Sequence, residues 1–260
     1  MEFLQAAQRA ALHVSVSQVK LYTRCPKLYE MRHVLGAKPE HRSANLVLGT
    51  AVHTALAAYY LALKDGVVLA DEEVLEAARQ SLEESVKQEP PVLLEEDETM
   101  ADLQATAEKL VRAFLAGVER PDEVLAVEVP FFMDVIEPNS GVILEEQLTG
   151  YLDAVVRFGD DIVVLEHKTA ARAWSADQLE YDLQVSLYQA VTDAARVRLQ
   201  VLTKTRVPKL LLHDLVRSER EQREAVVIVC RVLDAIRAGA FWPAPGWACK
   251  TCEYRKQCRG

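Results

Sequence analysis

The chain passes from one hydrophobic period to another, and that change divides it. Over 17–33 apolar residues recur at helical spacing, with Val19, Tyr22 and Leu28 on one side and Ser15 or Ser17 as the cap, so one helix is expected. Residues 46–63 predict a second, strongly apolar helix. Amphipathic patterns near 71–88 and 99–118 predict two more, separated by the break at Glu89-Pro90-Pro91. The period then shortens to two. Residues 124–135, 142–157 and 161–168 read as strands. A helix at about 177–195, strands near 197–205 and 209–215, and a long helix over about 217–238 follow. This order predicts a single α/β domain spanning 1–260, with a mainly helical portion (17–120), a sheet core (124–215) and a C-terminal helix and tail (217–260).

At 260 residues the chain can bury a substantial core. No stretch approaches the roughly 18 uninterrupted apolar residues of a membrane helix. Met1–Gln5 lacks the basic-then-apolar start of a secretory signal. A soluble cytoplasmic protein with no membrane association is expected. A net charge of −9 argues against indiscriminate binding to polyanions. It does not exclude an enzyme that gathers carboxylates around cations. Much of the acidic surplus falls in 71–98, where it reads as a solvated face.

The candidate chemistry lies in 150–168. Gly159-Asp160 suits a two-residue hairpin turn. Phe158 then faces Asp161, and the same register sets Asp153 across from Glu166. Alternation puts Lys168 on the face of Glu166 and turns His167 away. Leu152, Ala154, Val163 and Leu165 are assigned to that opposite face. Two opposed carboxylates destabilise a sheet unless a positive partner joins them, and a divalent cation beside Lys168 meets that need.

Asp153 followed by Glu166-x-Lys168 across a hairpin resembles the signature of the PD-(D/E)XK nucleases, and in particular their RecB-like exonuclease branch, which includes CRISPR-associated exonucleases. Leu152 stands where the eponymous proline would be. Gly49-Thr-Ala-Val-His53 is similar to the branch's Gly-xxx-His motif, whose histidine can ligate metal. Gln184-Val-Ser-Leu-Tyr188 is similar to its Gln-xxx-Tyr motif, with both side chains on one helical face. Glu128 matches a recurrent acidic position.

Five cysteines are too few and too oddly placed for a secreted disulfide scaffold. Cys249, Cys252 and Cys258 need a fourth thiol from Cys25 or Cys230. Cys25, in Thr23-Arg-Cys25-Pro, resembles the branch's first cluster cysteine, whereas Cys230 sits in an apolar helix as an inert thiol would. Four thiolates fit zinc or an iron–sulfur cluster. The lone distal cysteine resembles the 4Fe–4S arrangement of these nucleases, which would act as a staple between the ends of the chain.

The resemblance implies a restriction-endonuclease-like fold, a mixed central sheet flanked by helices. It also implies hydrolysis of DNA, on single-stranded ends, with Mg²⁺ or Mn²⁺ held by His53, Asp153 and Glu166. Lys168, Gln184 and Tyr188 complete the site, and Arg172, Lys204 and Arg206 are candidate phosphate contacts. A helicase or a CRISPR-type partner is compatible with the family. Two rivals remain open: a non-catalytic DNA-binding subunit, and a zinc-stapled binding protein whose D…ExK match is accidental.

Overall fold

The computed structural model describes residues 12–259, so Met1–Gln5 lies outside the described residues. A short strand, β1 (His13–Ser15), runs directly into α1 (Val16–Arg24). Ser15 caps that helix: its hydroxyl accepts from the Gln18 N–H while the Gln18 side chain accepts from the Ser15 N–H. The helix stops at Cys25, which is extended (φ −161°, ψ 101°). Pro26 is the cause, because a residue before proline is pushed out of the α region. The single helix expected over 17–33 is therefore two, α1 and α2 (Pro26–Tyr29), the latter running into a π-helical turn at Glu30–Val34.

After β2 (Arg42–Ser43) comes α3 (Ala44–Lys64), followed by α4 (Asp71–Val86), β3 (Val92–Leu93) and α5 (Met100–Gly117). Length and composition alone would let α3 cross a membrane. Its Val47, Leu48, Ala51, Val52, Ala55, Leu56 and Tyr60 are instead buried in a core shared with α4 and α5. The strands β4 (Glu123–Ile136), β5 (Ile143–Phe158) and β6 (Asp161–Ala170) follow. Next come α6 (Ala176–Glu180), α7 (Leu183–Val191), β7 (Arg196–Thr203), β8 (Leu210–Leu215), α8 (Glu219–Arg237) and α9 (Arg255–Arg259). The helix expected over 177–195 is broken between Glu180 and Leu183. Asp182 starts α7 afresh, its carboxylate accepting from the Val185 N–H at 3.1 Å.

The result is the expected mixed sheet between two helical layers. Six strands run β1-β5-β6-β7-β8, with β4 along the other edge of β5. β1 is parallel to β5 and β6 to β7, the latter joined by the α6–α7 crossover, while β4–β5, β5–β6 and β7–β8 are antiparallel. One core lies between the sheet and α3, α4 and α5, and takes Ala154, Val156, Val163 and Leu165. The other lies against α1, α7 and α8, and takes Val155, Val164, Val197 and Leu199.

Leu152 joins this second core, with Leu148 and Val155. The inward-facing set of β5 thus changes phase by one residue at Asp153, and Leu152 lies on the face opposite to the expected one.

Candidate active site

The β5–β6 hairpin forms in the expected register, from Phe158↔Asp161 through Ala154↔Leu165, with Gly159 in the turn at φ +56°. There the ladder ends. Further along the same edge β1 takes over, pairing with Gln147, Leu148 and Thr149. On this edge residues 150–153 of β5 pair with neither β6 nor β1, while 150–152 stay paired with β4 on the other edge, so the sheet forks at Asp153. The expected Asp153–Glu166 pair does not form, because the Asp153 carboxylate occupies the place of the backbone: it accepts from the His167 N–H at 2.7 Å. Inside the fork the Tyr151 carbonyl would lack a donor. The Tyr188 hydroxyl supplies one at 2.7 Å.

The carboxylate that does lie across from Asp153 is on β4. Val127 pairs with Ala154 and Val129 with Leu152, which sets Glu128 between them, opposite Asp153. Glu128 has φ +48°, and among the described residues it alone is a non-glycine with positive φ. That conformation costs an L-residue about 1–2 kcal/mol. Here it coincides with a convergence of donors: one atom each of His53, Glu128 and Asp153 lie within 4.8 Å of one another. His53, from α3, places Nδ1 3.4 Å from Asp153 Oδ1. Its ring meets that of His167 edge-on, and His167 stacks on Tyr60 behind the sheet.

Glu166 and Lys168 share a face, as alternation requires. Glu166 Oε1 accepts from Lys168 Nζ and, at 2.8 Å, from Gln184 Nε2. Gln184 Oε1 accepts from Lys168 at 2.8 Å, and its amide also reaches Tyr188 at 2.6 Å. The i, i+4 pair on α7 therefore braces the β6 side chains and closes the fork together. Glu166 Oε2 is buried with no hydrogen-bond partner.

The charges respond to this crowding. Burial alone would raise the Asp153 carboxyl, but the hydrogen bond and charge of His53 and the proximity of His167 hold it at about 2. Burial lifts Glu166 to about 7, against the pull of Lys168. Glu128 is raised by partial burial and by the charge of Asp153. Burial would lower His53 and Lys168, yet the neighbouring carboxylates outweigh it and both stay above their ordinary values.

The match to known proteins agrees with this geometry. Residues 13–259 fit the family model of the PD-(D/E)XK nuclease superfamily. The chain belongs to that superfamily. A crystal structure of a protein from Eubacterium rectale, provisionally assigned as an exonuclease, is similar with a TM-score of 0.53 and 17% identity, covering 95% of this chain and 88% of that one. A crystal structure of SSO0001 is similar with a TM-score of 0.41 and 15% identity, covering 94% of each chain. No curated protein matches the sequence.

In this PD-(D/E)XK nuclease Asp153, Glu166 and Lys168 come together at the fork. Among the described residues the atoms that converge as a ligand group are those of His53, Glu128 and Asp153, while Glu166 sits beside this group, held by Lys168 and Gln184. Glu128 carries one sequence signal, an acidic residue among the inward-alternating apolar residues of a strand. Lys20 on α1 carries none; its ammonium reaches Asp182 at 3.0 Å and Gln184 Oε1 at 3.4 Å. Of the candidate phosphate contacts, Arg172 and Arg206 are exposed. Lys204 is half-buried, hydrogen-bonds Asn45, and is bound to the end of β6 by its backbone N–H on the Ala170 carbonyl at 2.7 Å.

The cysteines meet at the far end of α1. Cys25, Cys249, Cys252 and Cys258 line one pocket, whereas Cys230 is buried within α8. The C-terminal segment is tied to the N-terminal one by contacts at and around the pocket. Trp242 accepts from the Lys27 N–H at 3.0 Å, Glu253 from the Glu40 N–H at 2.9 Å, and Arg32 pairs with Glu253.

Proposed function

We propose that this nuclease is a Mg²⁺- or Mn²⁺-dependent exonuclease of the RecB-like branch, acting on single-stranded DNA ends, with a 4Fe–4S cluster as a structural staple. The observation that carries the catalytic part is the buried, unpartnered Glu166 Oε2 beside the converging donors of His53, Glu128 and Asp153. An orphaned buried carboxylate oxygen costs free energy that a cation would offset. One imidazole with carboxylate oxygens is a donor set that suits Mg²⁺ or Mn²⁺. His53, Asp153 and Glu166 would hold the ion, with Glu128 joining them. When bound, such an ion polarises the phosphate and makes a neighbouring water more acidic.

The chain's own residues do the rest. Lys168, fixed between Glu166 and Gln184, presents a permanent positive charge where negative charge grows on the phosphate. Gln184 aims that amine, and Tyr188 locks Gln184 against the fork. Arg172, Lys204 and Arg206 are assigned to the flanking phosphates. Single-stranded ends as substrate follow from the resemblance to the RecB-like branch, and we read the chain as a single nuclease domain.

Four thiols lining one pocket fit a metal group. Zinc sites usually come as two short Cys-x-x-Cys pairs, whereas one distal Cys25 with Cys249, Cys252 and Cys258 favours a 4Fe–4S cluster. Five free cysteines accord with a reducing, cytoplasmic setting. A helicase partner is compatible with action on ends.

The test digests end-labelled linear and closed circular single-stranded DNA with Mn²⁺. Wild-type protein should shorten the linear strand and leave the circle intact, while Asp153→Ala and Lys168→Ala cut neither. Undiminished cleavage by either variant would refute the site. No metal-dependent cleavage by wild type would favour a non-catalytic DNA-binding subunit. A colourless protein with stoichiometric zinc would refute the cluster.

A further inference from the structure

We propose that Lys20 is a second phosphate-binding position of the cleft, holding the backbone phosphate next to the one that is cut. This rests on the nuclease reading above and names a residue that the D…ExK pattern does not contain.

Placement comes first. β1 pairs with Gln147–Thr149 just before the fork and runs without a linker into α1. α1 is anchored by buried Val16, Val19, Leu21 and Tyr22, so its start is fixed at the mouth of the fork. Lys20 projects from it with 38% of its side chain exposed, while its partner Asp182 keeps only 8%. A buried carboxylate thus holds an ammonium whose other side faces solvent.

Its position relative to the reaction follows from Gln184. The same Oε1 accepts from Lys20 at 3.4 Å and from Lys168 at 2.8 Å. The two amines are therefore no farther apart than those two bonds placed end to end, close enough for successive phosphates of one strand. They are not equivalent. Lys168 is committed to the Glu166 carboxylate, whereas Lys20 contacts only Asp182 and Gln184 among the described residues, and an ammonium carries three donors. In an acidic chain whose fork gathers Glu128, Asp153, Glu166 and Asp182, a strand needs such an exposed cation to approach. A mere surface ion pair would add little to stability and nothing to binding.

The experiment measures binding of a labelled single-stranded oligonucleotide, with Ca²⁺ replacing the catalytic ion, over a range of salt concentrations. It compares wild type with Lys20→Ala, Lys20→Arg and Asp182→Asn. Lys20→Ala should weaken binding about 10-fold and reduce the log–log salt slope by about 0.7, the change for one lost phosphate contact on a single strand. Lys20→Arg should restore both. Asparagine caps a helix as well as aspartate does, so Asp182→Asn removes the ion pair alone and should leave the salt slope at the wild-type value. With Mn²⁺, Lys20→Ala should raise KM more than it lowers kcat.

A wild-type slope and affinity in Lys20→Ala, or the same loss in Asp182→Asn, would overturn the proposal while leaving the nuclease reading intact. A wild-type protein that neither binds the strand nor cuts it with Mn²⁺ would sink that reading, and the Lys20 assignment with it.

Discussion

The two ends of α1 contrast two ways of building a site. At its start, the fork is made by regular strands whose ladders stop, and side chains meet most of the polar groups left over, Glu166 Oε2 excepted. Tyr188 takes the Tyr151 carbonyl, Asp153 takes the His167 N–H, and Gln184 bridges Glu166 and Lys168. At its other end the cysteine pocket lies among short helical turns and loop, held by a few backbone and ion-pair contacts around it. The fork is organised by the sheet itself. The pocket depends on whatever joins its thiols. Loss of the fork's charged side chains should therefore cost chemistry before fold, and damage at the pocket should cost fold first.

The largest effect expected is at the fork. Asp153→Ala should lower Mn²⁺-dependent cleavage by more than the roughly 10–100-fold typical of residues one step removed from a metal. Its circular dichroism and iron content should stay at wild-type values. If the iron is lost as well, the two regions are not independent.

Cys25→Ser tests the other side of the contrast. Loss of a long-range cross-link typically removes about 2–5 kcal/mol, which for a chain this long lowers Tm by roughly 5–15 °C. Iron analysis should show the proposed cluster gone. An unchanged Tm would mean that the peripheral contacts alone hold the C-terminal segment.

Tyr188→Phe should have an intermediate effect. It strands the Tyr151 carbonyl, costing about 1–3 kcal/mol in thermal or chemical denaturation. It also frees Gln184, so kcat should fall about 10–100-fold with KM little changed. Loss of stability alone would confine Tyr188 to closing the fork.

The smallest effect is a pH dependence of the metal-free protein. The folded state raises Glu166 to about 7, so its contribution is complete below the ordinary glutamate value near 4.5 and is lost as pH rises toward 7. Burial lowers His167 to about 4, so it acts in the opposite sense, losing stability as pH falls below its ordinary value. Comparing Glu166→Gln with wild type separates the two. Between pH 5 and 7.5 in EDTA, the variant's Tm should decline less with rising pH than that of wild type. Equal slopes would show that Glu166 is not strained by burial.

Much of this was legible in the sequence, for physical reasons that particular residues show. Period-two alternation and the Gly159 turn set the hairpin register, and the capped, amphipathic helices fell within a few residues of their expected limits. What escaped was non-local. No periodicity reveals that a ladder stops at Ala154–Leu165, so the partner of Asp153 was assigned to β6 when it stands on β4. The break at Cys25 was written in Pro26 but overridden by the apolar rhythm around it. The three-residue β1 was too short for its pattern to register, and with it went the placement of Lys20 at the fork.

The central claim is that a divalent cation belongs at the fork, between the β4–β5 carboxylates and Glu166. Anomalous diffraction from crystals soaked in Mn²⁺ tests it most directly. The expected result is a peak within about 2.0–2.3 Å of carboxylate oxygens of Asp153 and Glu166, with His53 and Glu128 around it. Strong Mn²⁺ peaks elsewhere with none at the fork would contradict it.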